Sequence, residues 1–173
     1  KNGKEVKKRK ETLIFPRYHQ LDAVTKLLAD AKKNGSGNNY LIQHSAGSGK
    51  SNSIAWLSYG LASLHDIENN SIFTSVIVVT DRKVLDDLLQ KTISSFDHTK
   101  GIVETIGNNK TSKDLKKAID DGKKIIITTL QKFPVIYDEL DDITGKRFAI
   151  IVDEAHSSER GNRSGSRPRS TRR

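Results

Sequence analysis

Tyr40-Leu-Ile-Gln-His-Ser-Ala-Gly-Ser-Gly-Lys-Ser51 is the stretch on which the reading of this chain turns. An apolar run (Tyr40, Leu41, Ile42) leads into a loop of small residues that ends in Gly-Lys-Ser. Ile54, Ala55, Leu57, Leu61 and Leu64 then follow with helical spacing. Strand, small-residue loop, helix is the order of a phosphate-binding loop. A triphosphate tail is best held by converging backbone N–H groups, a helix N-terminus and a cation. Ser45, Ala46, Gly47, Ser48 and Gly49 would supply the amides, with the two glycines letting the loop wrap closely. Lys50 is placed to reach the β- and γ-phosphates, and the Ser51 hydroxyl falls where Mg²⁺ would sit. The usual pattern opens with a glycine; His44 stands there instead.

A counterpart lies about a hundred residues later, Phe148-Ala-Ile-Ile-Val-Asp-Glu-Ala-His156. The unbroken run from Ala149 to Val152 predicts a parallel strand buried on both faces. Acids at its C-terminal end lie where open α/β sheets bind ligands. Asp153 is expected to hold Mg²⁺ through water, Glu154 to polarise the attacking water, and His156 to link the site to its surroundings. Lys50, Asp153 and Glu154 form the expected catalytic set.

Working outward, Leu21, Val24, Leu27, Leu28 and Ala31 predict one apolar face of a helix after Phe15-Pro-Arg-Tyr-His-Gln20, broken at residues 34–38. Val76 to Thr80 and Ile125 to Thr129 read as buried strands. Val84, Leu85, Leu88, Leu89 and Ile93 mark another helix, with Asp81 as its cap. Ile102-Val103 is a weak strand, residues 112–120 a short helix ended by Gly122, and residues 130–137 a turn or short helix. Alternating strands and helices predict a parallel sheet covered on both faces. The expected fold class is α/β: a parallel-sheet P-loop NTPase, three-layer α/β/α, in a single domain. No internal repeat is visible.

Composition narrows the function classes. The chain has 173 residues, enough for one domain with a core. Cysteine is absent, so disulfides and thiolate metal sites are excluded. The five histidines show no ligand spacing. No segment approaches membrane-spanning length and no secretory signal is visible, so a cytoplasmic location and no membrane partner are expected. The net charge of +9 belongs to the ends. Residues 1–11 carry six Lys/Arg against two Glu, and residues 157–173 carry six Arg against one Glu, while the rest is balanced. The body therefore offers no broad electrostatic case for nucleic acid. The expected organisation is a charged lead over 1–12, the ATP-binding domain over 13–156, and an Arg/Ser/Gly-rich tail over 157–173, disordered or foreign to the domain.

These pieces resemble one family. Phe15-Pro-Arg-Tyr-His-Gln-Leu-Asp-Ala-Val24, Ile42-Gln-His-Ser-Ala-Gly-Ser-Gly-Lys-Ser-Asn-Ser-Ile-Ala-Trp-Leu57, Val78-Val-Thr-Asp-Arg82, Thr128-Thr-Leu-Gln-Lys-Phe133 and Val152-Asp-Glu-Ala-His-Ser157 look like the first RecA-like motor domain of the R subunit of type I restriction-modification enzymes. These are superfamily 2 translocases of the DEAH-box type. The resemblance covers about residues 13–158. It implies ATP and Mg²⁺ as cofactors, ATP-driven translocation of double-stranded DNA coupled to cleavage, and the specificity and methylation subunits as partners. It implies that Gln20 reads adenine, which suits an amide that donates and accepts at once. It also places Thr80, Arg82 and Thr129 near the DNA track, where hydroxyls and amides could grip phosphates. A nuclease and a second motor domain would be needed for the full activity, so the chain is expected to be a piece that binds Mg-ATP weakly and turns it over slowly.

Alternatives are another superfamily 2 motor, such as a helicase or a type III restriction subunit, or a nucleotide-binding module with little turnover. A kinase is disfavoured because an acidic pair followed by Ala-His is not its signature. A GTPase is disfavoured because Asn108-Asn-Lys-Thr111 lacks the aspartate that would recognise guanine.

Overall fold

The computed structural model describes residues 14–80, 83–95, 101–106, 111–131 and 145–153, without the side chains of 83–88 and 112. Eight elements follow in chain order. They are α1 (Tyr18–Asn34), α2 (Lys50–Ala62), β1 (Ser75–Thr80), α3 (Lys83–Ser95), β2 (Val103–Thr105), α4 (Ser112–Asp120), β3 (Ile125–Thr129) and β4 (Phe148–Val152). The four strands form one parallel sheet in the order β2-β3-β1-β4. Val76 pairs with Ile125 on one side and Ala149 on the other, so β1 is flanked by two neighbours.

The two central strands are the most apolar and the most buried, with every residue of β1 and β3 inside. A strand in mid-sheet has covered faces and paired edges, which selects a continuous Val/Ile run. On one face, Ile77, Val79 and Ile126 pack against Leu115, Ala118 and Ile119 of α4. On the other, Val78, Ile125 and Ile127 meet Ala55 of α2 and Leu89 and Ile93 of α3. Val24 and Ala31 of α1 join Leu57 and Leu61 of α2 over Val76. The sheet is thus sandwiched between helical layers, the three-layer α/β/α architecture expected.

Local signals explain the helix starts. Thr111 begins α4 with its N–H donating to the Asp114 carboxylate, which sits in the first turn where a negative charge suits the dipole. At α1 the Arg17 N–H donates to the Gln20 side-chain oxygen at 2.8 Å. Gly60 of α2 faces Leu28 of α1 so closely that an added Cβ would lie 2.6 Å from Leu28 Cδ1. Tyr59 Oη donates to the Ile93 carbonyl at 2.9 Å, linking α2 to α3.

Three expectations are corrected. First, Tyr40, Leu41 and Ile42 do not form a strand. A strand exists only where a neighbour's edge completes its ladder, and no strand of the described sheet pairs with this run. It lies beside α1 instead, with Tyr40 Oη donating to the Asp30 carboxylate and Leu41 89% exposed. Second, β4 is not buried on both faces. Among the described residues it is an outer strand, and Ile150 (52%) and Val152 (43%) are open, while Phe148 at its start packs against the α4 cluster. Third, Leu21 is exposed, and the buried place in the first turn of α1 belongs to Gln20.

Several readings lie outside the described residues: the lead over 1–12, Asp81, Arg82, residues 132–137, Glu154, His156 and the tail. So do the side chains of Val84, Leu85 and Leu88. No helix among the described residues is long and apolar enough to cross a membrane.

Candidate functional site: the phosphate loop and the sheet edge

Positive backbone angles at two glycines shape the loop, φ 73° at Gly47 and φ 84° at Gly49. L-residues with a Cβ rarely adopt these angles. Gly49 is the residue before α2, which starts at Lys50, so the loop ends on a helix N-terminus whose first amides have no intrahelical partner. Ser48 N donates to Ser45 O at 3.3 Å and closes the turn. Ser48 is buried, and among the described residues its hydroxyl has no hydrogen-bond partner. A buried hydroxyl without a partner costs roughly 1–3 kcal/mol, and an anion in the loop is the kind of group that would meet it. Glycine angles, helix start, Lys50 and the orphan hydroxyl together fit a polyphosphate.

The first turn of α1 grips this loop from outside. Gln20, only 3% exposed, donates from Nε2 to the Gly49 carbonyl at 2.8 Å while its oxygen takes the Arg17 N–H. Each end of its amide thus makes one contact within the protein, with a second N–H and a second lone pair remaining. His19 Nε2 lies 3.2 Å from the Ser48 carbonyl, and its ring meets that of His44 edge-on, 5.2 Å between centroids. An open cleft of about 380 Å³ beside the loop is lined by Arg17, His19, Gln43, His44 and residues 45–48. Sequence reading missed the two histidines. The available signal was position: His19 precedes Gln20, and His44 stands at the loop's opening.

The acidic motif begins at Asp153, which follows β4 directly and whose N–H donates to the Val79 carbonyl at 2.9 Å. Ala55 of α2 shares one cluster with Val78, and Leu57 and Leu61 share another with Val76, so α2 lies against the sheet that carries Asp153. Among the described residues no cluster of three or more His, Cys, Asp or Glu could hold a metal. Ser51 and Asp153 are a sparse pair, and Mg²⁺ is commonly held by one or two protein groups with water and phosphate oxygens completing the shell.

Thr80 and Thr129 stand side by side as register partners at the ends of β1 and β3. Both residues are buried, at 1% and 4% exposed. Leu130 N donates to Thr80 O at 2.9 Å, which continues the ladder past β3.

A family model for the SWI2/SNF2 ATPase matches residues 19–167. The chain belongs to the SWI2/SNF2 ATPase family. The match begins at His19, in the turn that grips the phosphate loop, and runs past the acidic motif. It makes this SWI2/SNF2 chain a superfamily 2, helicase-like, ATP-binding motor domain, with the RecA-like fold described above. Domains of this family use ATP, typically with Mg²⁺. No curated protein and no solved structure gives a significant match.

Proposed function

We propose that this SWI2/SNF2 domain is the ATP-binding motor of a type I restriction enzyme's R subunit, coupling ATP hydrolysis to translocation of double-stranded DNA and to its cleavage. What supports the ATPase part is the glycine-shaped loop that ends on the α2 N-terminus at Lys50, together with Asp153 directly after β4 and fixed to Val79. The restriction assignment rests on the stretch from Ile42 to Leu57 and its companions in order along the chain.

In this reading the loop amides and Lys50 bind the β- and γ-phosphates and orient the terminal one for in-line attack. Ser51 and Asp153 would hold Mg²⁺, which when bound neutralises charge on the phosphates. Glu154 would orient water. Double-stranded DNA would run along the strand ends. With Thr80 and Thr129 covered, contact falls to the residues after them, Arg82 first. The specificity and methylation subunits would supply sequence recognition.

Lys50→Ala tests the loop: a titration should show most nucleotide affinity gone with the fold retained, and unchanged affinity would overturn the assignment. The restriction reading is tested with the domain inside a full R subunit that carries a nuclease and a second motor domain, assembled with specificity and methylation subunits. ATP consumption should then depend on double-stranded DNA and displace a third strand annealed to it. Equal stimulation by single-stranded DNA favours a helicase, and binding without stimulated turnover favours a nucleotide-binding module.

A further inference from the structure

We infer that His19 is a positioning residue for the phosphate loop, holding the Ser48–Gly49 peptide so that the Gly49 N–H faces the anion. This rests on the nucleotide-binding reading above. A trans peptide is planar, and its C=O and N–H point in opposite directions. Whatever holds the Ser48 carbonyl outward therefore turns the Gly49 N–H inward. His19 Nε2 is 3.2 Å from that carbonyl. A carbonyl only accepts, so the Nε2 of His19 carries the hydrogen and donates. The next carbonyl, of Gly49, is held by Gln20 and by the first amides of α2, at 3.1 Å from Asn52 N and 3.3 Å from Ser53 N. His19 thus acts on the Ser48 carbonyl as Gln20 acts on the next one.

The ring itself is oriented. His44, the residue that opens the loop, meets His19 edge-on at an interplanar angle of 89°. His44 thereby occupies the place of the usual first glycine with a side chain that steadies the clamp. Both rings line the cleft beside the loop. His19 is exposed, so its replacement leaves the core intact.

The test uses the 173-residue chain with three probes: ADP, inorganic tripolyphosphate and adenosine. His19→Phe keeps a ring against His44 and removes the donor. His19→Gln keeps an N–H of similar reach. The expected result is that His19→Phe weakens ADP and tripolyphosphate alike by roughly three- to tenfold, the worth of one hydrogen bond. It should leave adenosine unchanged, and His19→Gln should restore the loss to within about twofold. The Gly49 amide resonance should shift in His19→Phe and return in His19→Gln. Loss confined to ADP and adenosine, with tripolyphosphate unaffected, would mean the ring contacts the base and would overturn the proposal. So would wild-type affinity in His19→Phe, provided Lys50→Ala abolishes binding. If Lys50→Ala binds all phosphate probes as before, the nucleotide reading itself fails.

Discussion

Gln20 and Gly49, twenty-nine positions apart, are joined by a 2.8 Å hydrogen bond from the glutamine amide to the glycine carbonyl. The contact is close enough that a Cβ on Gly49 would lie 2.5 Å from Gln20 Nε2. The loop's last residue therefore has no side chain for two separate reasons, a positive φ and the buried amide beside it.

Gly49→Ala should destabilise the fold by about 1–3 kcal/mol, from left-handed strain and displacement of Gln20. Gln20→Ala should cost about 1–3 kcal/mol by leaving the Arg17 N–H without its partner. The double variant should lose less than the sum by at least about 0.5 kcal/mol, because the clash disappears when either partner is changed. Urea denaturation of the three variants measures the coupling, and strict additivity would refute the contact.

Gly60→Ala sets two effects against each other. Alanine in a helix interior gains about 1 kcal/mol over glycine. Overpacking costs about 1–3 kcal/mol, and here the new methyl would meet both Leu28 methyl carbons within 2.8 Å and Leu28 Cγ at 3.3 Å. Crowding on three atoms of one side chain should win, giving a net loss of about 1 kcal/mol in unfolding free energy, read from urea denaturation. A gain would mean that α1 slides on α2 freely.

Tyr40→Phe tests the placement of the run ahead of the loop. The Tyr40 hydroxyl, and then the Asn34 amide, hold the Asp30 carboxyl below the usual carboxylate range. Removing the hydroxyl should move Asp30 back up, as read from its carboxyl carbon resonance. Because the folded value is depressed, the tether stabilises above the ordinary carboxylate pKa and fades as pH falls through the folded one. Wild type and variant should therefore converge in acid and differ near neutrality. An unmoved Asp30 would place residues 40–42 elsewhere.

Asp153→Asn removes a charge while keeping the backbone bond to Val79. Nucleotide affinity without Mg²⁺ should stay within about threefold, while the gain on adding Mg²⁺ falls, since Mg²⁺ prefers carboxylate oxygen. Titrations with and without the metal decide it. An unchanged gain would remove Asp153 from the candidate metal site.

The helices were legible because each buries one face, and the central strands because burial on both sides writes an unbroken Val/Ile run. The same rule misled at Tyr40-Leu41-Ile42 and at Ile150 and Val152. Apolar composition reports a tendency to be covered, whereas strand pairing and cover depend on what lies alongside. The loop's glycines and Lys50 stand together in sequence and could be read directly. The hold of His19 and Gln20 on it could not, because it spans α1 and the loop and exists only once α1 has packed on α2.

The outer flank of β4 has a bearing on how the protein behaves in a tube. Among the described residues nothing pairs with that edge, and two branched apolar side chains stand open beside it. Unprotected sheet edges template pairing between copies. At rising concentration the chain should self-associate through β4, and Ile150→Lys should keep it monodisperse in light scattering without disturbing the phosphate loop. Colloidal stability and nucleotide chemistry would then be separable by a single surface charge.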